Sequence, residues 1–422
     1  MKKALVQSVG TGTRSDMDVT QFLKWHAQKS RPDFIVWVVS DESQAHAEQM
    51  AREMRLDADD YEIRRVMAFE DVEQVYRDCR AALRDLGGRG FPAESIEVDY
   101  TSGTKAMTAG LALAAIAHGC GTLSYIAGDR RSGVVISGTE RVVPVEPRRL
   151  WADQRIQLAA DYCRALRFDT ARSLLEGLNE AWLGEYERRL VAGLALVASA
   201  YGAWDRFDYA RGIGELTKLL SAEAVECAAF RPDRELVGLL HALNSERGIT
   251  ADRLADLCNN ARRRLDEGRY DDALARLYRL AEMLGQWILA KDYGIRSDDV
   301  DPSRVPAAVR AVLEGRRDAD GRIRIGLEWD YVLLRELGHA VGREFDTGAS
   351  KGIGVLLKQR NESLLAHGLR PIGKEEVESL LVKLEALVGL EVPDFASRRE
   401  ALEFPWRRAG GGTDATPVPD RV

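Results

Sequence analysis

The stretch SIEVDYTSGTKAM, residues 95–107, decides the fold of the N-terminal part of this chain. Its first six residues alternate between apolar and polar side chains, a pattern typical of a β-strand. The next five, Thr101–Lys105, are small, polar or basic, and from Ala106 to His118 the period is helical. A strand, a short loop and a helix in this order predict one half of a βαβ unit.

Further strand-like runs occur on both sides of this stretch, and helical periods such as 72–86 separate them. The runs are Lys3–Val9, Asp33–Ser40, Glu62–Phe69 and Thr122–Ala127. Strands alternating with helices predict a parallel sheet with right-handed crossovers. Residues 133–145, with a Ser-Gly-Thr turn between two valine-rich arms, predict a closing β-hairpin. The N-terminal part is therefore predicted to be an α/β, Rossmann-like domain.

After Pro147 nearly every segment to about residue 390 has a helical period, which predicts an all-α region. Two segments in it resemble each other, RFDTA at 167–171 and RYDDA at 269–273, and each opens a leucine-rich helix. Two copies are too few to predict a solenoid. Residues 298–324 are predicted to form a loop or a short insertion.

Composition limits the class of protein. The chain has 422 residues, 45% hydrophobic and 30% charged, which suits two or three soluble domains. Its net charge of −7 argues against a general nucleic-acid coat protein but allows a local basic patch. We find no apolar run of membrane-spanning length and no signal peptide. The 5 cysteines are scattered, so we expect neither disulfides nor a zinc site, and a cytoplasmic location.

Three loops that follow predicted strands are the candidate ligand site, because open α/β sheets bind ligands at the carboxyl ends of their strands. Their residues are Gly10, Thr11, Gly12 and Thr13; Ser40 and Asp41; and Thr101, Ser102, Gly103, Thr104 and Lys105. Backbone N–H groups and a lysine at the start of a helix suit phosphate. Neither the dinucleotide fingerprint nor the P-loop pattern is met.

The motif from Asp99 to Met107, with its small-residue helix, resembles the signature of CARF domains. These are sensor domains of type III CRISPR-associated proteins that bind cyclic oligoadenylates, and the resemblance covers about residues 1–147. It implies that the three loops bind such a ring as an allosteric activator. It also implies a homodimer in which the ring lies on the two-fold axis.

A second candidate site is the segment RNESLLAH at 360–367. Arg360 and His367 are seven residues apart, so a helix would place them on one face. An RNA phosphodiester carries its own nucleophile, the 2′-OH. A histidine as acid or base and an arginine as a charge stabiliser would therefore suffice for cleavage without metal. Between residues 351 and 374 five basic residues stand against one acidic residue.

The pair Arg360 and His367 resembles the R-x4–6-H motif of HEPN ribonucleases, and the helix around 271–289 resembles the first core helix of that family. The resemblance implies that His367 is the general acid/base, that Arg360 stabilises the phosphate and that Asn361 orients the pair. Glu282 is a possible partner of Arg360 or a solvated helix residue. HEPN active sites form between two copies of the motif, which again implies a dimer.

Together these observations predict an α/β CARF-like sensor at 1–147, a helical middle domain at 148–250, a HEPN-like ribonuclease domain at 251–400 and a flexible tail at 401–422. The expected function is metal-independent cleavage of single-stranded RNA, activated by cyclic oligoadenylate and leaving a 2′,3′-cyclic phosphate. We expect no cofactor and no membrane contact. Two alternatives stay open: a non-catalytic sensor or transcriptional regulator, and a sensor that degrades its own ring.

Overall fold

The structure is a computed structural model that describes residues 2–12, 20–131, 134–135, 138–221, 225–346 and 369–408. These residues fall into two compact units. The first comprises Met1–Gln157 and Gly177–Arg188, and the second comprises Leu158–Glu176 and Arg189–Val422. The β-strands of the described residues all lie in the first unit, and the elements of the second unit are helices.

The first unit is built on a sheet of six strands in the order β3-β2-β1-β4-β5-β8. Its elements are β1 (Ala4–Val9), α1 (Thr20–Ser30), β2 (Phe34–Val39), α2 (Gln44–Met54), β3 (Tyr61–Arg65), α3 (Val72–Gly88), β4 (Ile96–Asp99), α4 (Lys105–His118), β5 (Thr122–Ala127), β6 (Arg130–Arg131), β7 (Val134–Val135) and β8 (Arg141–Val145). The first five strands of the sheet are parallel. The predicted Rossmann-like α/β class is confirmed.

Alternate residues of each central strand point to opposite faces, and each face has its own core. Ala4 and Val6 pack on the side of α3 and α4, whereas Leu5 and Val9 pack on the side of α1 and α2. Gly110 lets α3 and α4 approach closely, since a Cβ atom there would lie 2.7 Å from Val75 Cγ1. Burial on both faces explains why these strands are almost continuously apolar.

The prediction of a closing hairpin between the two valine-rich arms is wrong, because each arm pairs with a different strand. β8 pairs antiparallel with β5, with Val143 opposite Tyr125, while β7 pairs with β6. Without β8 the backbone groups of β5 would remain unpaired at the sheet edge, and β8 supplies the missing hydrogen bonds.

The second unit continues with helices to the end of the described chain. They are α5 (Pro147–Arg164), which begins in the first unit, α6 (Phe168–Glu176), α7 (Glu185–Asp205), α8 (Tyr209–Ser221), α9 (Arg234–Ser245), α10 (Ala251–Asp266), α11 (Tyr270–Tyr293), α12 (Ala307–Glu314), α13 (Leu327–Glu336), α14 (Ala340–Asp346), α15 (Lys374–Glu391) and α16 (Phe395–Ala401). The all-α prediction for this region is confirmed. The loop expected at 298–324 contains α12, whose apolar face buries Val309 and Leu313.

The core of the second unit contains a polar network on α10. Arg263 is fully buried; it donates to Asp205 Oδ1 at 2.8 Å and lies 4.2 Å from the ring centre of Phe404. Trp204 is also fully buried in this core. Because Leu402, Glu403 and Phe404 are buried, the tail boundary predicted at residue 401 is too early.

Candidate functional site

The candidate ligand site lies where the strand order of the sheet reverses. β1 and β4 are parallel neighbours, with Ala4 opposite Ile96 and Gln7 opposite Asp99. The helices that follow them pack on opposite faces, so a crevice opens at the carboxyl ends of these two strands. The loops beginning at Gly10 and Thr101 follow these two strands and lie at their carboxyl ends.

These two loops touch through their glycines. Gly10 N donates to Ser102 Oγ at 3.1 Å, and Ser8 Oγ donates to Ser102 O. A Cβ atom on Gly10 would lie 2.8 Å from Gly103 N, closer than any real contact. Gly103 has φ = +110°, a conformation that side chains rarely adopt. Glycine is therefore required at both positions if the loops are to meet.

The third loop ends at the start of α4. Thr104 caps this helix by accepting a hydrogen bond from Met107 N at 3.1 Å, and its hydroxyl donates to Phe69 O at 2.7 Å. Lys105 is the first residue of the helix and is exposed. Free N–H groups, the positive end of the helix dipole and this ammonium group favour an anion here.

Thr101 supports the loop from below. Its backbone N–H donates to Asp99 Oδ1 at 3.0 Å and its hydroxyl donates to the same oxygen at 2.5 Å. The hydroxyl also accepts a hydrogen bond from Ile126 N at 2.8 Å. Since these contacts use the hydroxyl, Thr101 anchors the loop to the sheet.

The loop after β2 has two different roles. Ser40 is buried and builds the turn, with its N–H donating to Ser43 Oγ at 2.9 Å. Asp41 is exposed and pairs with Arg65 at 2.9 Å, at the end of the neighbouring strand β3. Arg65 therefore balances the only negative charge among the predicted ligand residues. Another predicted ligand residue, Thr13, lies outside the described residues.

His46 is a residue of this site that the sequence reasoning missed. Its Nδ1 atom lies 3.1 Å from Gly10 O, and because a carbonyl only accepts, Nδ1 must donate. In the neutral ring, Nε2 is then an acceptor. His46 lies in the first turn of α2, directly after the turn that Ser40 builds. Its place in the sequence, just after a predicted ligand loop, was the signal that could have identified it.

A buried network beneath the crevice fixes Asp99. The second carboxylate oxygen, Oδ2, accepts from His26 Nδ1 at 2.7 Å and from Gln7 Nε2 at 3.1 Å. His26 Nε2 lies 2.9 Å from Glu97 Oε1. Both ring nitrogens thus face carboxylate oxygens, and the imidazolium form satisfies both. α1 is thereby tied to the strand that carries the third loop.

The electrostatics of this network agree with its geometry. Burial by itself would lower the pKa of His26, but hydrogen bonds to Asp99 and Glu97 and their charges raise it to about 9. For Glu97, burial acts to raise the pKa, and the contacts with His26 and Ser30 lower it to about 2. At pH values between these two pKa values, His26 carries a positive charge and Glu97 a negative charge.

The predicted catalytic residues Arg360, Asn361 and His367 lie outside the described residues. The helix expected to be the first core helix is present as α11, which packs against α10, α13 and α15. On it, Glu282 forms an ion pair with Arg279 at 2.5 Å. Two basic residues of the segment 351–374 lie among the described residues. Arg370 pairs with Glu376, and Lys374 pairs with Glu378.

One cluster among the described residues has the atoms of a metal site. Asp292, His339 and Glu391 place their ligand atoms within 4.8 Å of one another, although sequence spacing did not link them. Val341 N donates to His339 Nδ1 at 3.2 Å, which leaves the proton of the neutral ring on Nε2, facing Glu391. Lys291 Nζ lies 3.7 Å from Asp292. A metal ion would have to displace this ring proton and the ammonium group of Lys291.

Across the described parts of the chain, none of the helices has the length and hydropathy needed to span a membrane.

Comparisons with known proteins agree with this architecture. Residues 246–390 match a family model described as the Csm6 HEPN domain. The CRISPR system endoribonuclease Csm6 of Thermus thermophilus is 28% identical over 353 residues, which cover 74% of this chain and 71% of that protein. The structure of Enterococcus italicus Csm6 bound to cyclic hexa-2′-fluoro-hexa-dAMP superposes with a TM-score of 0.52 at 13% identity, covering 95% of this chain and 98% of that one.

The fold and these matches describe a chain that joins a Rossmann-like α/β sheet to a helical region similar to the Csm6 HEPN domain. The CARF–HEPN resemblance found in the sequence is confirmed. More particularly, the family model, the relative in Thermus thermophilus and the solved structure that it matches are all of Csm6, which in Thermus thermophilus is a CRISPR system endoribonuclease.

Proposed function

We propose that this protein is an endoribonuclease that cuts single-stranded RNA when a cyclic oligoadenylate binds its sensor sheet. The observation that carries the proposal is the crevice between β1 and β4, where Gly10 and Gly103 bring two loops together and Lys105 opens α4. This arrangement offers backbone N–H groups and a cation to the phosphates of a ring. The Csm6 neighbour is itself bound to a cyclic oligonucleotide.

The chemistry is assigned to the R…H motif. His367 removes the proton of the RNA 2′-OH or protonates the leaving 5′-oxygen, and Arg360 stabilises the charge that develops on the phosphorane. Asn361 orients the pair. The 2′-oxygen attacks the phosphorus of the adjacent 3′-phosphate, which breaks the P–O5′ bond. The products are a 2′,3′-cyclic phosphate and a 5′-hydroxyl. No metal takes part, and two chains supply the two motifs of one site.

A reporter assay tests the proposal. A fluorescent single-stranded RNA is incubated with the protein in EDTA, with no ring and with rings of each size. We expect cleavage with one ring size, loss of cleavage in Arg360→Ala and His367→Ala, and unchanged ring affinity in both variants. A strict need for divalent metal, or wild-type turnover in His367→Ala, would overturn the assigned chemistry. Ring binding without any cleavage would favour a non-catalytic sensor.

A further inference from the structure

Three helical hairpins of the second unit share one kind of turn. They join α5 to α6, α7 to α8 and α10 to α11. Each turn has one residue in the left-handed region: Leu166 at φ = 63°, Phe207 at φ = 62° and Gly268 at φ = 71°. The N–H of the following residue bonds to a carbonyl five residues earlier: Arg167 N to Tyr162 O, Asp208 N to Ala203 O, and Arg269 N to Arg264 O, at 2.8, 3.0 and 2.9 Å.

The similar segments at 167–171 and 269–273 belong to two of these turns. The third turn carries the related sequence RFDYA at 206–210, which the sequence analysis did not single out. Relative to the structural equivalence, this sequence is shifted by two residues, because Arg206 directly precedes the left-handed residue whereas Arg167 and Arg269 directly follow it. An arginine nevertheless stands beside the bend in all three turns.

The three turns meet at one cleft of about 510 Å³, here called the three-turn cleft. Five arginines line it, against three carboxylates. The arginines are Arg167, Arg206, Arg264, Arg269 and Arg276. A cleft lined by an excess of one charge focuses the field on its opening and attracts ions of the opposite charge.

The charges are arranged in an inner and an outer layer. Inside, Arg264 is paired with Asp205 and lies 3.0 Å from the buried Glu267, so these groups hold the turns together. Outside, Arg206 is half exposed and its ion pair with Asp169 is long, at 3.6 Å. Arg167 is exposed at the same opening. The outer arginines are therefore accessible to a ligand.

The pKa of Arg276 supports a cationic interior. Burial and the neighbouring Arg264 and Arg269 lower this pKa, and the opposing charges of Asp272 and Asp205 offset them only in part. An anion entering the three-turn cleft would relieve this repulsion.

Phe207 adds an aromatic ring at the opening. The backbone of Phe207 is strained, because bulky residues rarely adopt the left-handed region. Since its side chain is 37% exposed, burial of the ring offsets this strain only in part. In the equivalent positions Leu166 is buried and Gly268 has no side chain. An exposed aromatic ring beside arginines is the combination with which proteins bind single-stranded nucleic acid, since the ring stacks on a base while the cations hold the phosphates.

We propose that the three-turn cleft is an RNA-binding subsite, in which Arg167 and Arg206 contact phosphates and Phe207 stacks on a base. The inference rests on the proposed RNA substrate. It adds a contact for the RNA besides the R…H motif.

Binding of RNA without cleavage tests the subsite. In a His367→Ala background, the double variant Arg167→Ala/Arg206→Ala should raise the Kd of a long single-stranded RNA about tenfold or more. The slope of log Kd against log salt should fall by about 1.4, because each phosphate contact on a single strand contributes about 0.7. Phe207→Leu, which keeps an apolar side chain but removes the ring, should raise the Kd by several-fold.

Arg172→Ala is the matched control, since Arg172 is an exposed, ion-paired arginine on α6 that does not line the cleft. It should leave both Kd and salt slope unchanged. In the active protein, the double variant should raise KM for long RNA and leave kcat unchanged. Wild-type Kd and slope in the double variant would overturn the subsite, even if cleavage is ring-dependent. Absence of ring-dependent cleavage in the wild type would instead contradict the proposed function, and the binding data would still report on the cleft.

Discussion

Replacing Gly10 by alanine should weaken ring binding without unfolding the protein. The new Cβ atom would lie 2.8 Å from Gly103 N and 2.9 Å from Gly103 Cα, where ordinary contacts begin at 3.4 Å. The two loops must therefore separate by about 0.6 Å, which also stretches the 3.1 Å hydrogen bond from Gly10 N to Ser102 Oγ. Strain from one added methyl group at a tight contact is about 1–3 kcal/mol, which corresponds to a roughly five- to hundredfold rise in Kd.

Calorimetric titration with the activating ring measures this effect, and the RNA reporter should show a matching rise in the ring concentration needed for half-maximal cleavage. Gly88→Ala is the control: a Cβ atom there meets nothing within 4 Å, and alanine at the end of α3 should be neutral or slightly stabilising. If Gly10→Ala binds the ring with wild-type affinity and melts at the wild-type temperature, the contact between the two loops does not shape the ligand crevice.

Two further perturbations probe the sensor. Lys105→Ala removes a charge-assisted contact of about 1.5–3 kcal/mol, so the ring concentration for half-maximal cleavage should rise roughly ten- to a hundredfold while the maximal rate survives; unchanged calorimetric affinity would remove Lys105 from the site. His26 stabilises the fold while it is protonated, because its folded pKa of about 9 lies above the ordinary value of 6.5. Its contribution to the free energy of unfolding, of the order of 3 kcal/mol, is complete below pH 6.5 and is lost as the pH rises through 9. The difference in Tm between wild type and His26→Gln should therefore narrow over that interval. A constant difference would show that His26 is not charged in the folded protein.

The sequence was sufficient for the sheet and the loops because both have local signals. The strand pattern of residues 95–100 and the helix from Ala106 predict β4 and α4 nearly to the residue, since burial on both faces demands apolar runs. The position of the loops follows from the topology of parallel sheets. Pairing between strands is not local, and for that reason the partner of β8 was missed.

The residues that support the site were less predictable. His26 and Asp99 are 73 positions apart and meet only because α1 packs beneath β4. His46 reaches Gly10 from a different helix. The cluster of Asp292, His339 and Glu391 likewise has no spacing that a motif search would find. Such contacts depend on the packing of elements, which periodicity and composition do not encode.

The central claim, that a ring bound at the sensor sheet switches on RNA cleavage, has one direct test. The rate of cleavage of a fluorescent single-stranded RNA is measured in EDTA with a saturating cyclic oligoadenylate, with the linear oligoadenylate of the same length and with neither. We expect fast cleavage with the cyclic activator alone, and none in His367→Ala under the same conditions. Equal rates with and without the ring would contradict the account, because the sensor would then not control the ribonuclease.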